Sequence, residues 1–222
     1  MKHIPIAVLA LLVLSMPAWA QDDVFSQALK PETMEAFKAV SARLAVHPVT
    51  KGNFVQEKIL SRLGRKLRSE GNFIITAGQG MVWETTKPFP STLVLGKDYL
   101  IQARPDGQKT VLNAEGNETF IRLAEVLGAV FSGNAQGLLD NFEVHFAVKN
   151  TPGAGGRAWE MGLSPLDKAI SSFAARITMS GDDVIRFIMI NEQGGDITQY
   201  TLSNHSHLRE LSVNEKALFA LP

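Results

Sequence analysis

The chain has no cysteine among its 222 residues. That excludes disulfides, thiolate-bound metals, cysteine nucleophiles and thioether-linked lipid anchors together. It also lacks a charge imbalance: 22 basic and 22 acidic residues cancel, so long-range attraction to nucleic acid or to anionic lipid is not expected. Catalytic signatures are missing as well. No Gly-x-Ser-x-Gly elbow is present, and Gly153-Ala154-Gly155-Gly156 lacks the Lys and Ser/Thr of a phosphate-binding loop. The reading is a non-enzymatic protein without a cofactor. Apolar residues make up 45% and charged residues 20%, an ordinary globular composition.

Only one stretch is strongly hydrophobic. Lys2 is followed by an apolar run from Ile4 to Met16 and by Ala18-Trp19-Ala20, the form of a secretory signal peptide with its small-x-small cleavage site. The run is shorter than the ~20 residues a spanning helix needs. Cleavage after Ala20 is therefore expected, leaving residues 21–222 as one domain, with a bacterial periplasm as its simplest destination.

Beyond the leader, the hydrophobic period identifies the elements. Met34, Phe37, Val40 and Leu44 recur at helical spacing behind Pro31, which suits the first turn of a helix. The period then changes to two. Strands are expected over Asn53–Leu60, Leu67–Thr76, Gly80–Thr86, Thr92–Leu95, Tyr99–Ala103 and Lys109–Leu112. A helical insert from Asn117 to Gly133 and a short helix near Gly137–Asn141 follow. Five more strands are expected: Phe142–Lys149, Ala158–Leu163, Ala174–Ser180, Ile185–Asn191 and Asp196–Ser203, with Asn150–Arg157 as a loop. The fold class is mainly β with α. Its expected form is an incomplete, strongly curved antiparallel barrel of about 11 strands, with helices covering the concave face.

Candidate chemistry is sparse. His205 and His207 would share a face on a strand, but a zinc site needs further ligands and no His-rich partner segment exists. They read as surface residues, and His47 and His145 as isolated surface or capping residues. Asp182-Asp183 reads as a turn. Arg62, Arg65, Lys66 and Arg68 form the one basic cluster, in and beside the first hairpin, and read as a solvated loop in preference to an anion or partner contact. What stands out is an apolar face shared by successive strands: Phe54, Phe73, Ile75, Met81, Trp83, Leu93, Leu95 and Ile101. It describes equally an ordinary core and the wall of a ligand cavity, since both have the same hydropathy.

The order of short motifs resembles the LolA family of periplasmic lipoprotein carriers. Phe54-Val55-Gln56, Gly71-Asn72-Phe73, Trp83 followed by Pro88, Leu93-Val94-Leu95-Gly96-Lys97-Asp98, Trp159 to Pro165, Gly181 to Ile188, Asp196 to Leu202 and Phe219-Ala220-Leu221-Pro222 fall in the family's sequence. The resemblance implies a monomeric carrier whose concave face hides the acyl chains of a lipoprotein between inner and outer membrane. It would be loaded by an inner-membrane ABC-type release complex and relieved by an outer-membrane acceptor. Leu44 on the first helix would close the empty form against Met81 and Trp83. One departure stands out. The family's lid-latching Arg-Pro is replaced by Ala77-Gly78. The alternatives are a carrier of another lipid or lipid-linked intermediate, and a non-carrying structural or regulatory module on the same fold.

Overall fold

The computed structural model describes residues 23–96, 98–113, 128–130, 133–149 and 158–220. The expected signal peptide, most of the Asn117–Gly133 insert, the Asn150–Arg157 loop and the end of the Phe219–Pro222 motif lie outside the described residues. Helix α1 (Pro31–Leu44) precedes strands β1 (Val49–Leu60), β2 (Arg65–Thr76), β3 (Gly80–Lys87), β4 (Ser91–Leu95), β5 (Tyr99–Ala103) and β6 (Lys109–Asn113). Helix α2 (Ala135–Asn141) leads into β7 (Phe142–Lys149) and β8 (Ala158–Pro165); α3 (Lys168–Ser171) precedes β9 (Ala174–Gly181), β10 (Ile185–Glu192), β11 (Ile197–Leu208) and α4 (Val213–Leu218).

All eleven strands form one antiparallel sheet in the order β6-β5-β4-β3-β2-β1-β11-β10-β9-β8-β7. The sheet does not close, so β6 and β7 are its two edges. Pairing of β1 with β11 joins the early strands to the late ones. The N-terminal segment shields the β7 edge, which exposed strand edges require: Leu29 N–H donates to Val144 C=O at 3.1 Å and Phe146 N–H to Gln27 C=O at 2.9 Å.

Strand alternation sorts the side chains into two faces. The concave face gathers Phe54, Phe73, Leu202, Ile188, Met179, Met161, Leu163 and Phe146 in the main core. Helix α1 lays Phe37 and Val40 onto this core, and Ala129, Val130 and Leu138 join it beside them. The Phe37 ring meets Phe146 edge-on at 5.8 Å. Pro31 occupies the first turn of α1 as its missing N–H allows. The helix ends where Gly133 (φ +64) crosses it. A Cβ on Gly133 would stand 2.4 Å from Ser41 O and 2.8 Å from Leu44 Cβ, so only glycine permits this approach.

A second core lies on the convex face. Val49, Val82, Val94 and Ile101 pack there against Leu211 and Phe219 around the C-terminal helix. Helix α4, not among the expected elements, sits on this outer side. One expectation is corrected here. Ile101, expected on the concave face, is opposite Val94, whereas its neighbour Leu100 is opposite Leu95. His145 is also not a surface residue: it is buried, with its ring 5.4 Å from that of Phe25.

At Gly71 the β2–β3 ladder shifts register, and a Cβ there would stand 1.9 Å from Glu84 O and 2.9 Å from a Phe54 ring carbon. Gly71→Ala should therefore lose about 1–3 kcal/mol of stability by overpacking. Gly78→Ala, where nothing lies within 4 Å, should change it by less than about 0.5 kcal/mol. Equal urea midpoints for the two variants would contradict this account of the bulge.

Candidate functional site

The concave floor is built by register. Phe54 opposite both Gly71 and Leu202, and Phe73 opposite Trp83, place large side chains next to one another across β11, β1, β2 and β3. Gly71 leaves space for Phe54. Trp83 stacks on Phe54 at 4.1 Å and lies 6.0 Å from Phe73; Tyr200 meets its ring edge-on at 5.4 Å. Burial, reinforced by the Glu192 charge, pushes the Tyr200 phenol up to about 12. Met81 pairs with Leu95 beside Ile75, Trp83 and Leu100, and Leu93 stands half-buried opposite Trp83.

Along β1 the same face becomes polar. Lys58 lies opposite Thr198 in β11. Its Nζ donates to both Glu192 oxygens at 2.8 and 2.9 Å, and Thr198 Oγ1 donates to Glu192 Oε1 at 2.8 Å. Burial would raise the Glu192 carboxyl, but these donors hold it below the usual range. The floor is thus aromatic and apolar in its middle and ionic toward the β1–β2 hairpin.

At the other end, the C-terminal turn of α1 closes against the sheet. Leu44, Phe73, Ile75, Ile185, Leu202 and His205 surround a cavity of only about 30 Å³. Leu44 therefore meets Phe73, Ile75 and Leu202 at this cavity, whereas Met81 belongs to the adjacent cluster with Leu95. Ala77 stands in the exposed β2–β3 turn. A different arginine ties down the helix: Arg43 Nε lies 3.4 Å from Asp183 Oδ1 in the β9–β10 turn. Its side chain is 37% exposed and that of Asp183 52%, so the pair contributes little beside the buried Phe37 and Val40.

Three histidines also meet here. His47 stacks on His207 at 3.6 Å, Thr50 Oγ1 lies 3.2 Å from His207 Nδ1, and the ring of His205 is 5.6 Å from Phe73. The cause is Asn204, whose φ of 52° accompanies a β-bulge opposite Lys51–Asn53. The bulge resets the alternation and brings His205 and His207 onto the face of Leu202. His47 is not isolated and His205 is not a plain surface residue. Tyr200, Leu202 and Ile188 on the floor were also missed; the alternation of Ile188, Ile190, Thr198, Tyr200 and Leu202 was their available signal. Among the described residues no group of three or more acidic or histidine side chains is placed to hold a metal ion.

A larger depression, about 430 Å³, lies on the convex face between α4 and Asn53, Asn72, Glu84 and Asn204. Its amides form a hydrogen-bonded row ending at Glu84. Size alone would favour it, yet its lining mixes apolar side chains with three asparagines and the Lys51–Glu215 pair, and the aromatic cluster around Trp83 is elsewhere. For an apolar ligand, lining chemistry outweighs the present volume.

An open, curved antiparallel sheet with an apolar concave floor under a helix is the architecture of the LolA-type fold. The family described as outer membrane lipoprotein carrier protein LolA matches residues 48–219, and this chain belongs to it. No protein of curated function matches the chain. Among solved structures, an outer membrane lipoprotein-sorting protein domain from Vibrio parahaemolyticus is similar at 9% identity and a TM-score of 0.45, covering 89% of this chain and 99% of that one. A LolA superfamily protein from Nitrosomonas europaea is similar at 8% identity and 0.47, covering 84% and 97%. LprF from Mycobacterium bovis is similar at 12% identity and 0.43, covering 83% and 98%. Family membership rests on the match over residues 48–219 and not on these distant likenesses.

Burial, foremost, lowers both His205 and His207 from the ordinary value of 6.5; the Arg186 charge adds to it at His205 and the His47 charge at His207. The unfolded chain then binds these protons before the folded one does. Stability is full above about pH 6.5 and falls as the pH drops toward the folded values. Between pH 7.5 and 5, where carboxylates stay ionised, the Tm of the protein should fall. His205→Asn/His207→Asn should flatten the dependence. An unchanged slope in that variant would rule out these histidines as its source.

Proposed function

We propose that the protein is a periplasmic carrier that holds the acyl chains of a lipoprotein, or of a related lipid, on its concave floor. The observation that carries this reading is the aromatic floor of Phe54, Phe73, Trp83 and Tyr200 beneath α1. It is nearly filled in the closed form, so cargo must displace the helix. The balance permits that. Moving α1 exposes Phe37 and Val40, which costs about 1.5–3 kcal/mol each. Burying a chain of about a dozen methylenes returns about 0.8 kcal/mol apiece, about 10 kcal/mol altogether. An acyl chain can therefore open the lid that water keeps shut.

On this reading Leu44, Ile75, Met81, Trp83, Leu93 and Leu95 contact cargo together with Phe54 and Phe73, while Ile101 on the convex face does not. The first twenty residues direct export and are removed after Ala20. An inner-membrane ABC-type release complex loads the carrier, and an outer-membrane acceptor unloads it. Both must distinguish open from closed states, since a partner can shift a conformational equilibrium only by its differential affinity. With alanine at position 77, closure depends on apolar packing and the Arg43–Asp183 pair.

A fluorescent fatty-acyl probe should bind the purified protein and perturb Trp83 emission. Ile75→Glu should weaken binding at least about tenfold, because a carboxylate in an apolar wall is poorly solvated, while far-ultraviolet circular dichroism stays unchanged. Failure of the unmodified protein to take up any acyl probe would overturn the carrier reading. For export, the intact mass of periplasmic protein should correspond to a chain beginning at Gln21; retention of Met1–Ala20 would exclude the proposed processing.

A further inference from the structure

The tip of the β1–β2 hairpin is unlike the rest of the surface. From Arg62 to Arg68 the sequence is Arg-Leu-Gly-Arg-Lys-Leu-Arg, four cations and two leucines without an acid, in a chain whose 22 basic and 22 acidic residues balance only as a whole. The turn Ser61–Leu63 and Gly64 (φ +58) close the hairpin, and every residue from 61 to 68 is exposed. Leu63 is 68% and Leu67 53% exposed. Lys66 and Arg68 share Glu57, at 2.8 and 3.6 Å. Arg62 and Arg65 have no ion-pair partner among the described residues. Two large apolar side chains held in water among these cations gain nothing for the fold.

Leu67 also lies opposite Lys58 on the concave side of the sheet, on the same strand and face as Gly71 and Phe73. The tip therefore adjoins the polar end of the concave floor. We propose that this hairpin tip docks the protein onto the surface of an anionic phospholipid bilayer. Its arginines and lysine would lie against the phosphate plane, with Leu63 and Leu67 entering the acyl boundary. A bilayer suits the tip better than an acidic protein, because cations alone would serve the latter and leave two leucines unexplained. Long basic side chains keep their charge at the headgroups while their stems and the leucines reach lower. Attraction limited to a few cations is short-ranged and salt-sensitive, which suits a protein that must also leave the membrane. The inference adds a membrane contact to the carrier reading and does not require that acyl cargo be bound.

Because the chain has no cysteine, Ser61→Cys carries a single polarity-sensitive label at the tip. Vesicles of phosphatidylethanolamine with phosphatidylglycerol should shift its emission and co-sediment the protein at low ionic strength, whereas phosphatidylcholine vesicles should do neither. Arg62→Glu/Arg65→Glu should weaken binding at least about tenfold, and Leu63→Ser/Leu67→Ser should make what remains vanish at high salt. Both double variants should keep the unmodified Tm and the unmodified affinity for the soluble acyl probe. That last comparison separates failure of docking from failure of the carrier reading. The proposal is overturned if anionic vesicles leave the label unshifted, if the charge-reversed protein binds them as well as the unmodified one, or if only an acidic protein, and no vesicle, engages the tip.

Discussion

The continuity of the sheet through β1 and β11 is the constraint on which the other features depend. These two twelve-residue strands pair over most of their length and fuse an early and a late set of strands into one curved surface. Because β6 and β7 never meet, that surface encloses an apolar floor without sealing it. Such a floor cannot be left in water. The chain must cover it with something that is not a strand, and α1 with residues 128–130 and α2 provides the cover seen here.

That cover is held by few interactions. Phe37 and Val40 supply the apolar contact, Gly133 allows close approach, and one half-exposed ion pair and a histidine stack fasten the far end of α1. On the carrier reading proposed above, a long apolar ligand would compete with this cover for the floor. The convex face follows a different logic. Its core is filled by Leu211 and Phe219 around α4, Tyr99 donates its hydroxyl to the Phe219 carbonyl, and Lys51 pairs with Glu215. One face of the sheet is thus covered by the C-terminal segment and the other by α1.

The places where sequence reading missed share a cause: local pattern has no phase there. Tyr99-Leu100-Ile101 is apolar throughout, so alternation could not say which residue faces inward; pairing with β4 selected Leu100. Downstream, alternation holds along β11 until Asn204, whose left-handed backbone shifts His205 and His207 by one position. Helix α4 was legible in principle, because Ser212 and Glu215 form a capping box, but six residues give too short a period to be seen. Arg43 and Asp183 are far apart in sequence, and nothing local announces their pairing.

What the sequence determined by itself was the set of strands, the amphipathic first helix, the antiparallel connectivity, the incomplete closure of the sheet and the part of the floor that lies on β1 to β4. Those depend on neighbours two to four positions apart, through side-chain alternation, turn chemistry and the helical repeat. Only the tertiary structure decided that α1 closes on Phe73, Ile75 and Leu202, that three histidines gather at that closure, and that α4 braces the outside. These depend on register between strands as much as 150 residues apart, and a one-residue shift in register exchanges the two faces of a sheet.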